Sequence, residues 1–244
     1  MTAFEPADPH ALLVQELVDA NHILAHQGVV DAFGHVSVRH DQRPEHFLLS
    51  RNVAPANVEA ADIIEFDKDS TPLDADGRRI YVERFIHGEI YRARPDVTAI
   101  VHSHSRSVVP FSVVESVRFR PACHMCGFLG DGADIFEIRE AAGAATDLLI
   151  RDRQLGRALA KKLGAANVIL MRGHGSTVVG PTLKQAVYRA IYTEVNARLV
   201  ADALRLGPVT YLTPDEAQAA LSIENEIERP WQLWKAAAEQ ARVG

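Results

Sequence analysis

Residues 81–105 read "YVERFIHGEIYRARPDVTAIVHSHS", and they predict a helix that leads directly into a buried strand. Apolar side chains recur at helical spacing over residues 81–94, and Pro95 ends the helix because the residue before a proline disfavours helical backbone. Residues 97–105 are mostly apolar and β-branched, which is typical of a strand. A helix that runs at once into a strand indicates helices packed against a sheet.

Upstream of this stretch the sequence predicts one helix and then several short strands. The helix begins at Pro9, after the capping residue Asp8, and ends near Gly28. The strands are "HVSVRH" (35–40), "HFLLS" (46–50) and "DIIEFD" (62–67). Short strands in close succession are typical of antiparallel hairpins.

Downstream, strands and helices alternate to the end of the chain. The predicted elements are a strand at 134–138, a helix at 152–163, a strand at 167–172, a long helix from Pro181 to Gly207, a helix that follows the capping residues Thr213 and Pro214, and a last helix that contains Trp231 and Trp234. We find no internal repeat and no linker. Residues 1–244 are therefore expected to form a single α/β domain with a mixed, largely antiparallel sheet covered by helices.

Composition excludes several classes of partner. The net charge is −6 and no basic stripe is present, so nucleic acid is not expected as a partner. No apolar segment approaches the roughly 20 residues of a membrane span, and the N-terminus lacks a signal-peptide pattern. A cytoplasmic location is expected. Cys123 and Cys126 could form a redox pair or half of a zinc site, but we expect two reduced, partly buried thiols.

Two histidines, His102 and His104, stand out in the predicted strand. Residues two apart in a strand point to the same face, so both imidazoles would project together. Neutral imidazoles in this arrangement are good ligands for a divalent metal. Taken alone, the pair is more often a feature of a surface than a metal site.

Two further segments carry candidate ligands. His174 follows the strand at 167–172 and has glycine on both sides, which allows tight backbone geometry and close approach of another group. Glu83 lies near the start of the helix that precedes the paired histidines, and its carboxylate could complete a set of three histidines and one glutamate. Glu89 in the same helix is an alternative that spacing does not exclude.

These residues together resemble the class II aldolase/adducin family. The resemblance runs from "GHVSVR" (34–39) through residues 81–105 to "LMRGHGSTVVG" (170–180), and so covers most of the chain. It rests on a Glu nineteen residues before a His-x-His pair, followed later by Gly-His-Gly after an apolar strand.

The resemblance implies a three-layer α/β/α sandwich and a homotetramer with sites near subunit interfaces. It also implies one divalent metal ion per subunit held by His102, His104, His174 and Glu83, with Glu83 as ligand or acid/base. Histidine and carboxylate ligands suit zinc, manganese, iron or cobalt. In the family such an ion stabilises an enolate when a carbon–carbon bond breaks.

The sequence departs from the sugar-phosphate aldolases of this family where they hold phosphate. The matching segments read "GHVS" (34–37), "SRN" (50–52) and "YVE" (81–83), in which a serine pair is replaced by Tyr-Val and a glycine-rich loop carries Arg51. A guanidinium binds carboxylate through two hydrogen bonds, and a tyrosine can flank a planar ring. These replacements predict a small carboxylated substrate, which resembles the family's decarboxylases.

The predicted function is a metal-dependent carbon–carbon lyase, namely a decarboxylase of a hydroxylated aromatic or pyridine dicarboxylate. The alternatives are an aldolase for a non-phosphorylated hydroxy-oxo acid or sugar, and a non-catalytic adducin-like module. Glu83, His35 and Arg51 are the predicted catalytic residues. The predicted substrate contacts are Ser50, Arg51, Tyr81 and His124. Glu194 and Tyr192 could orient a ligand histidine, although a helical glutamate is more often solvated.

Overall fold

A single seven-stranded sheet forms the centre of the computed structural model, which describes residues 8–243. The strands are β1 (His35–Arg39), β2 (Phe47–Ser50), β3 (Ile63–Phe66), β4 (Ala99–Ser103), β5 (Asp134–Phe136), β6 (Val168–Met171) and β7 (Gly175–Gly180). Their order is β3-β2-β1-β4-β7-β6-β5, and only the β5–β6 pair is parallel. The prediction of a mixed, largely antiparallel sheet is confirmed.

Eight α-helices and four short 3-10 helices connect these strands in the described part of the chain. The α-helices are α1 (Pro9–His26), α2 (Arg84–Ala93), α3 (Val109–Val113), α4 (Arg139–Ala142), α5 (Arg153–Leu163), α6 (Leu183–Leu206), α7 (Pro214–Ala220) and α8 (Glu228–Val243). The 3-10 helices are Pro55–Asn57, Ala60–Asp62, His124–Leu129 and Leu221–Glu226. Side-chain caps at Asp8, Asp152, Thr182 and Thr213 satisfy helix N-termini, as their residue types predict.

The helices cover both faces of the sheet, which gives the expected α/β/α sandwich. Alternate residues of β4 face opposite cores: Val101 packs in one with α1, α6 and α8, while Ile100 packs in the other with α2 and α5. β6 divides in the same way between Leu170 and Ile169. Burial on both faces explains why these strands read as continuous apolar runs.

Three of the differences from the sequence-based expectation lie close to the four predicted ligands. Helix α2 begins at Arg84 rather than at residue 81, and Glu83 occupies its N-cap without capping it. Strand β4 ends at Ser103, so His104 lies just beyond it. Strand β7 is not predicted by the sequence, because its glycines and small polar residues resemble a turn; pairing with β4 and β6 makes it a strand.

No helix within residues 8–243 is long and apolar enough to cross a membrane. The N-terminal pattern used to argue against a signal peptide lies partly in residues 1–7, outside the described part of the chain, so the cytoplasmic location stays a prediction. Cys123 and Cys126 are unbonded thiols, with the buried Cys126 and half-buried Cys123 sulfurs 3.4 Å apart.

Candidate metal centre

The four predicted metal ligands come from three separate segments that meet at the end of two neighbouring strands. Glu83 lies at the N-cap of α2, and His102 lies in β4. His104 follows β4 by one residue, and His174 lies in the turn between β6 and β7. The antiparallel pairing of β4 with β7 brings the His-x-His segment beside the Gly-His-Gly turn.

The glycine after His174 is required by this close approach. A Cβ atom at Gly175 would lie 1.9 Å from the carbonyl oxygen of Ser103, far inside any allowed contact. Gly173 has a φ of 63°, in the left-handed region that favours glycine. The two glycines therefore serve the purposes that the sequence indicated, namely tight geometry and close backbone approach.

The donor atoms converge on one point. The Nε2 atom of His104 lies 3.1 Å from Nε2 of His102 and 2.9 Å from Nε2 of His174. The Oε2 atom of Glu83 lies 3.6, 4.0 and 3.4 Å from Nε2 of His102, His104 and His174 respectively. A tetrahedral ion with bonds of about 2.1 Å would separate its ligands by about 3.4 Å, so these spacings suit a bound cation.

The outer hydrogen bonds of the histidines strengthen this conclusion. Nδ1 of His102 donates to the carbonyl oxygen of Ser176 at 3.1 Å, and Nδ1 of His174 donates to that of Leu148 at 2.8 Å. A carbonyl can only accept, so both neutral imidazoles direct an unprotonated Nε2 toward the centre. Two nitrogen lone pairs and a carboxylate facing one another repel unless a cation lies between them.

The ionisation of the four groups also suits a metal. Burial lowers the pKa of His102, and it lowers the pKa of His104 to about 4. Burial alone would raise the pKa of Glu83, but the neighbouring His102 and His174 imidazoles outweigh it and hold that pKa far below its usual range. Glu83 in turn outweighs burial at His174 and raises its pKa. At neutral pH the set therefore offers the carboxylate of Glu83 beside the neutral imidazoles of His102 and His104.

Glu89, the alternative carboxylate, lies elsewhere. It is buried beneath α5, where its oxygens accept from Nε of Arg153 at 2.7 Å and from Nε of Arg157 at 3.1 Å. It is absent from the four-residue group formed by the described histidines and Glu83. The choice that spacing left open is therefore resolved in favour of Glu83.

Comparison with known proteins identifies the family of this chain. A family profile described as Class II Aldolase and Adducin N-terminal domain matches residues 15–201. The chain belongs to the class II aldolase/adducin family. It is 36% identical over 250 residues to decarboxylase tropJ of Talaromyces stipitatus, covering 93% of this chain and 94% of the relative. A second relative, 3,4-dihydroxyphthalate decarboxylase of Arthrobacter keyseri, is 32% identical over 226 residues, 87% of each chain.

The solved structure of L-fuculose 1-phosphate aldolase from Glaciozyma antarctica PI12 shares the fold. Its TM-score is 0.77 with 24% identity, and the alignment covers 98% of this chain and 95% of that one. The named relatives of this class II aldolase/adducin chain are decarboxylases and aldolases, so the chain is an enzyme, and the enzyme is a lyase.

Aromatic rings from β1 and from the segment before α2 lie beside the four ligands of this family member. His35 and Tyr81 form this surface, which we call the His35–Tyr81 wall. His35 is paired across the sheet with His102, and their ring centroids are 5.0 Å apart. On its other side His35 lies 4.6 Å from the ring of Tyr81, whose hydroxyl donates to the carbonyl oxygen of Val53. These ring contacts join the predicted substrate-binding Tyr81 to the candidate metal centre.

Ser50 and Arg51 lie at the end of β2. The side chain of Arg51 has a hydrogen-bond partner, and that of Ser50 has none among the described residues. Nε of Arg51 donates to Oδ1 of Asp62 at 2.6 Å, which orients the guanidinium; the side chain remains 38% exposed. Oγ of Ser50 is fully buried and has no hydrogen-bond partner among the described residues. An unsatisfied buried hydroxyl is costly, so it is a candidate for contact with a ligand.

An open cleft of ≈ 760 Å³ gives access to His104. Its lining includes Val30, Asp31, Ser105 and Arg198. The cleft is large enough for a small aromatic acid.

Three other predicted residues lie away from the candidate metal centre. His124 is exposed at the start of the 3-10 helix His124–Leu129, and no hydrogen bond or ring contact within the described chain joins it to the four ligands. Glu194 is buried rather than solvated, but it binds Ser105 and Arg198 instead of a ligand histidine. Tyr192 packs on Tyr188, so the orienting role considered for both residues is not supported.

Sequence analysis missed the groups that orient the ligands. The turn before α5 supplies the Leu148 carbonyl to His174 and the Ile150 amide to Oε1 of Glu83 at 2.9 Å. Leu148 has a φ of 69°, which is uncommon for a non-glycine residue and is stabilised here by the surrounding contacts. Both contacts use main-chain atoms, so side-chain identity carries no signal for them.

Proposed function

We propose that this lyase is a metal-dependent decarboxylase that acts on a hydroxylated aromatic carboxylate, most simply a dicarboxylate. The observation that carries the proposal is the His35–Tyr81 wall beside the four converging ligands. The family resemblance implies that the sugar-phosphate aldolases hold phosphate with the matching segments. The aromatic face of Tyr81 suits a planar ring rather than a phosphate group. Relatives named as decarboxylases, aligned over most of both chains, support the same reaction.

One divalent ion would be held by His102, His104, His174 and Glu83. Zinc, manganese, iron and cobalt all suit this set of ligands. Such an ion acts as a Lewis acid and stabilises negative charge on a substrate oxygen as the carbon–carbon bond breaks. Main-chain groups keep two of the imidazoles in position through Ser176 and Leu148, and the carboxylate through Ile150. This rigid support preserves the geometry during turnover.

Arg51 would anchor a substrate carboxylate. Its Nε is occupied by Asp62, and the two terminal nitrogens of the guanidinium remain for a bidentate pair with a ligand. Ser50 precedes Arg51 and offers its free hydroxyl on the same strand end. The carboxylate that leaves as CO2 would then be a second one, which explains the preference for a dicarboxylate.

Loss of CO2 requires one proton to be delivered to the carbon that carried the carboxylate. Glu83 is an ionised carboxylate beside the three ligand imidazoles, so it could take a proton from the substrate hydroxyl or from water and pass it to that carbon. His35 is the other buried group beside the wall. His124 remains a predicted contact that would require a neighbouring subunit.

The direct experiment is a CO2-release screen. Purified protein loaded with zinc, manganese, iron or cobalt is incubated with hydroxylated phthalates and pyridine dicarboxylates, and released CO2 is measured with and without chelator. We expect release that chelator abolishes, and that His174→Ala removes while the exposed-site control His26→Ala retains it. Aldehyde release from a hydroxy-oxo acid or sugar, without CO2 from any dicarboxylate, would establish the aldolase alternative instead.

The anchor is tested separately with Arg51→Gln. Loss of a charge-assisted hydrogen bond costs about 1.5–3 kcal/mol, so KM for a dicarboxylate should rise roughly 10- to 150-fold. Arg43→Gln is the matched control, because Arg43 is also ion-paired, to Glu65, but is exposed. An equal loss for a neutral analogue that lacks the anchored carboxylate would remove Arg51 from this role.

We also propose that four copies assemble, as the family resemblance implies. Large apolar side chains remain exposed on the single chain, among them Phe33 at 66% and Val113 at 52%. Exposed apolar groups of this size favour subunit contact. Light scattering after gel filtration should give a mass near four times 26.8 kDa; a monomeric mass would refute the assembly.

A further inference from the structure

A buried chain of hydrogen bonds runs from His35 away from the candidate metal centre. Nδ1 of His35 lies 2.7 Å from Nε2 of His87, and Nδ1 of His87 lies 2.6 Å from Oγ of Ser37. Oγ of Ser37 is 2.7 Å from the hydroxyl of Tyr91, which donates to the carbonyl oxygen of Thr98 at 3.4 Å. The chain therefore joins four side chains and ends on main chain.

All four side chains are buried: His35 is 3% exposed, His87 and Ser37 are 0% exposed, and Tyr91 is 6% exposed. Burial lowers the pKa of His87 to about 3 and raises the pKa of Tyr91. Burial also holds the pKa of His35 well below its ordinary value, so each imidazole in the chain carries one proton, and Tyr91 keeps its hydroxyl proton. Each neutral imidazole must donate through one nitrogen and accept through the other.

The carbonyl at the end of the chain sets its direction. Thr98 can only accept, so the Tyr91 hydroxyl donates to it and accepts from Ser37. Ser37 then accepts from Nδ1 of His87, and His87 accepts at Nε2 from Nδ1 of His35. This direction makes four hydrogen bonds, whereas the reverse direction makes three and leaves the Thr98 contact without a proton.

The direction of these hydrogen bonds decides which nitrogen of His35 carries the proton. With its proton on Nδ1, His35 keeps an unprotonated Nε2, and this is the ring nitrogen that His87 leaves available. We propose that Nε2 of His35 accepts a hydrogen bond from a hydroxyl group of the substrate, and that His87, Ser37 and Tyr91 are positioning residues that fix this tautomer. This inference rests on the proposed function, because it assigns a hydroxylated ring to the site.

The assignment orients the substrate. An acceptor nitrogen attracts a phenolic O–H and repels a carboxylate or an ether oxygen, while the Arg51 guanidinium does the opposite. The hydroxyl of the ring would therefore lie toward His35 and a carboxylate toward Arg51. The site should select ring acids that carry a free hydroxyl and reject those in which it is methylated.

The tautomer is tested by nitrogen NMR on the zinc-loaded protein labelled with ¹⁵N-histidine, with the His35 signals identified by their loss in His35→Gln. We expect a protonated nitrogen at Nδ1 and an unprotonated one at Nε2. A proton on Nε2 would overturn the inference even if CO2 release is observed. The expected tautomer without CO2 release from any substrate would instead leave the assigned tautomer of His35 standing and refute the decarboxylase proposal.

One substitution should reverse the direction of the hydrogen bonds. In Tyr91→Phe, Ser37 loses its acceptor and can donate to His87, so the proton of His35 should move to Nε2. Tyr188→Phe is the control, because it removes a buried tyrosine hydroxyl that binds Met125 far from this chain. No change of tautomer in a folded Tyr91→Phe would contradict the direction argued from Thr98.

Specificity is tested by measuring the dissociation constants of 2,3-dihydroxybenzoate and of its two monomethyl ethers. The wild-type protein and Tyr188→Phe should bind the dihydroxy acid roughly tenfold or more tightly than one of the ethers, because that ether leaves the buried acceptor unpaired. In Tyr91→Phe the ratio should fall toward one. Equal affinity of the wild-type protein for all three compounds would refute the hydroxyl contact.

Discussion

Acid should destabilise the metal-free protein through His87, and the size of the effect follows from its burial. His87 is 0% exposed, and burial lowers its pKa from 6.5 to about 3. The unfolded chain therefore binds more protons than the folded chain between these two values. Acid favours the state that binds more protons, which here is the unfolded chain. The free energy of unfolding therefore falls as the pH drops below about 6.5, and the loss grows until about pH 3.

At pH 5 the loss from this single residue can be calculated. The unfolded imidazole lies 1.5 pH units below its pKa of 6.5, while the folded one, with a pKa of about 3, stays neutral. At 1.36 kcal/mol per unit this difference is about 2 kcal/mol. The same residue contributes almost nothing at pH 7.5, where both states are neutral.

Urea unfolding at pH 7.5 and pH 5, in chelator and at one fixed protein concentration, measures the effect. The pH-dependent loss of unfolding free energy should be about 2 kcal/mol smaller in His87→Gln than in the wild-type protein. His26→Gln, which removes an exposed histidine, should show the wild-type loss. If His87→Gln lost as much stability as the wild type, His87 would not be held neutral in the folded state.

Three further outcomes are expected. His174→Ala should leave the purified protein with less than about a tenth of the bound divalent metal of the wild type, as measured by elemental analysis, because one of four converging ligands is lost. Gly175→Ala should lower the melting temperature more than Gly173→Ala, since a Cβ at 175 would lie 1.9 Å from Ser103 oxygen, whereas one at 173 meets nothing nearer than 3.7 Å and adds only the strain of a φ of 63°; similar melting temperatures would contradict the close approach of β4 and β7. Ser50→Ala should leave the melting temperature unchanged or higher, because the buried hydroxyl has no partner in the described chain, yet raise KM; an unchanged KM would exclude substrate contact.

Much of the fold was predictable because its elements carry strong local signals. The capped helices α1, α5, α6 and α7 begin where Asp or Thr caps precede them. Strand β7 carries no such signal. Its glycines and small polar residues become a strand only because β4 and β6 supply hydrogen bonds on both sides.

The candidate ligands were predictable for a related reason. Chelation requires particular residue types, and the paired histidines, His174 between glycines and Glu83 at a fixed distance all have a pattern that can be recognised along the chain. Spacing did not separate Glu83 from Glu89. The fold separates them, because one carboxylate meets the imidazoles and the other meets Arg153 and Arg157.

By itself, the sequence determined the family, the α/β architecture and the four residues that could hold a metal, since each depends on residue types at short, regular spacings. The tertiary structure decided how those residues are held. The Leu148 carbonyl binds His174 across 26 positions, and His87 binds His35 across 52. Contacts over such distances depend on how strands and helices pack, and main-chain partners leave no mark in the identity of the side chain.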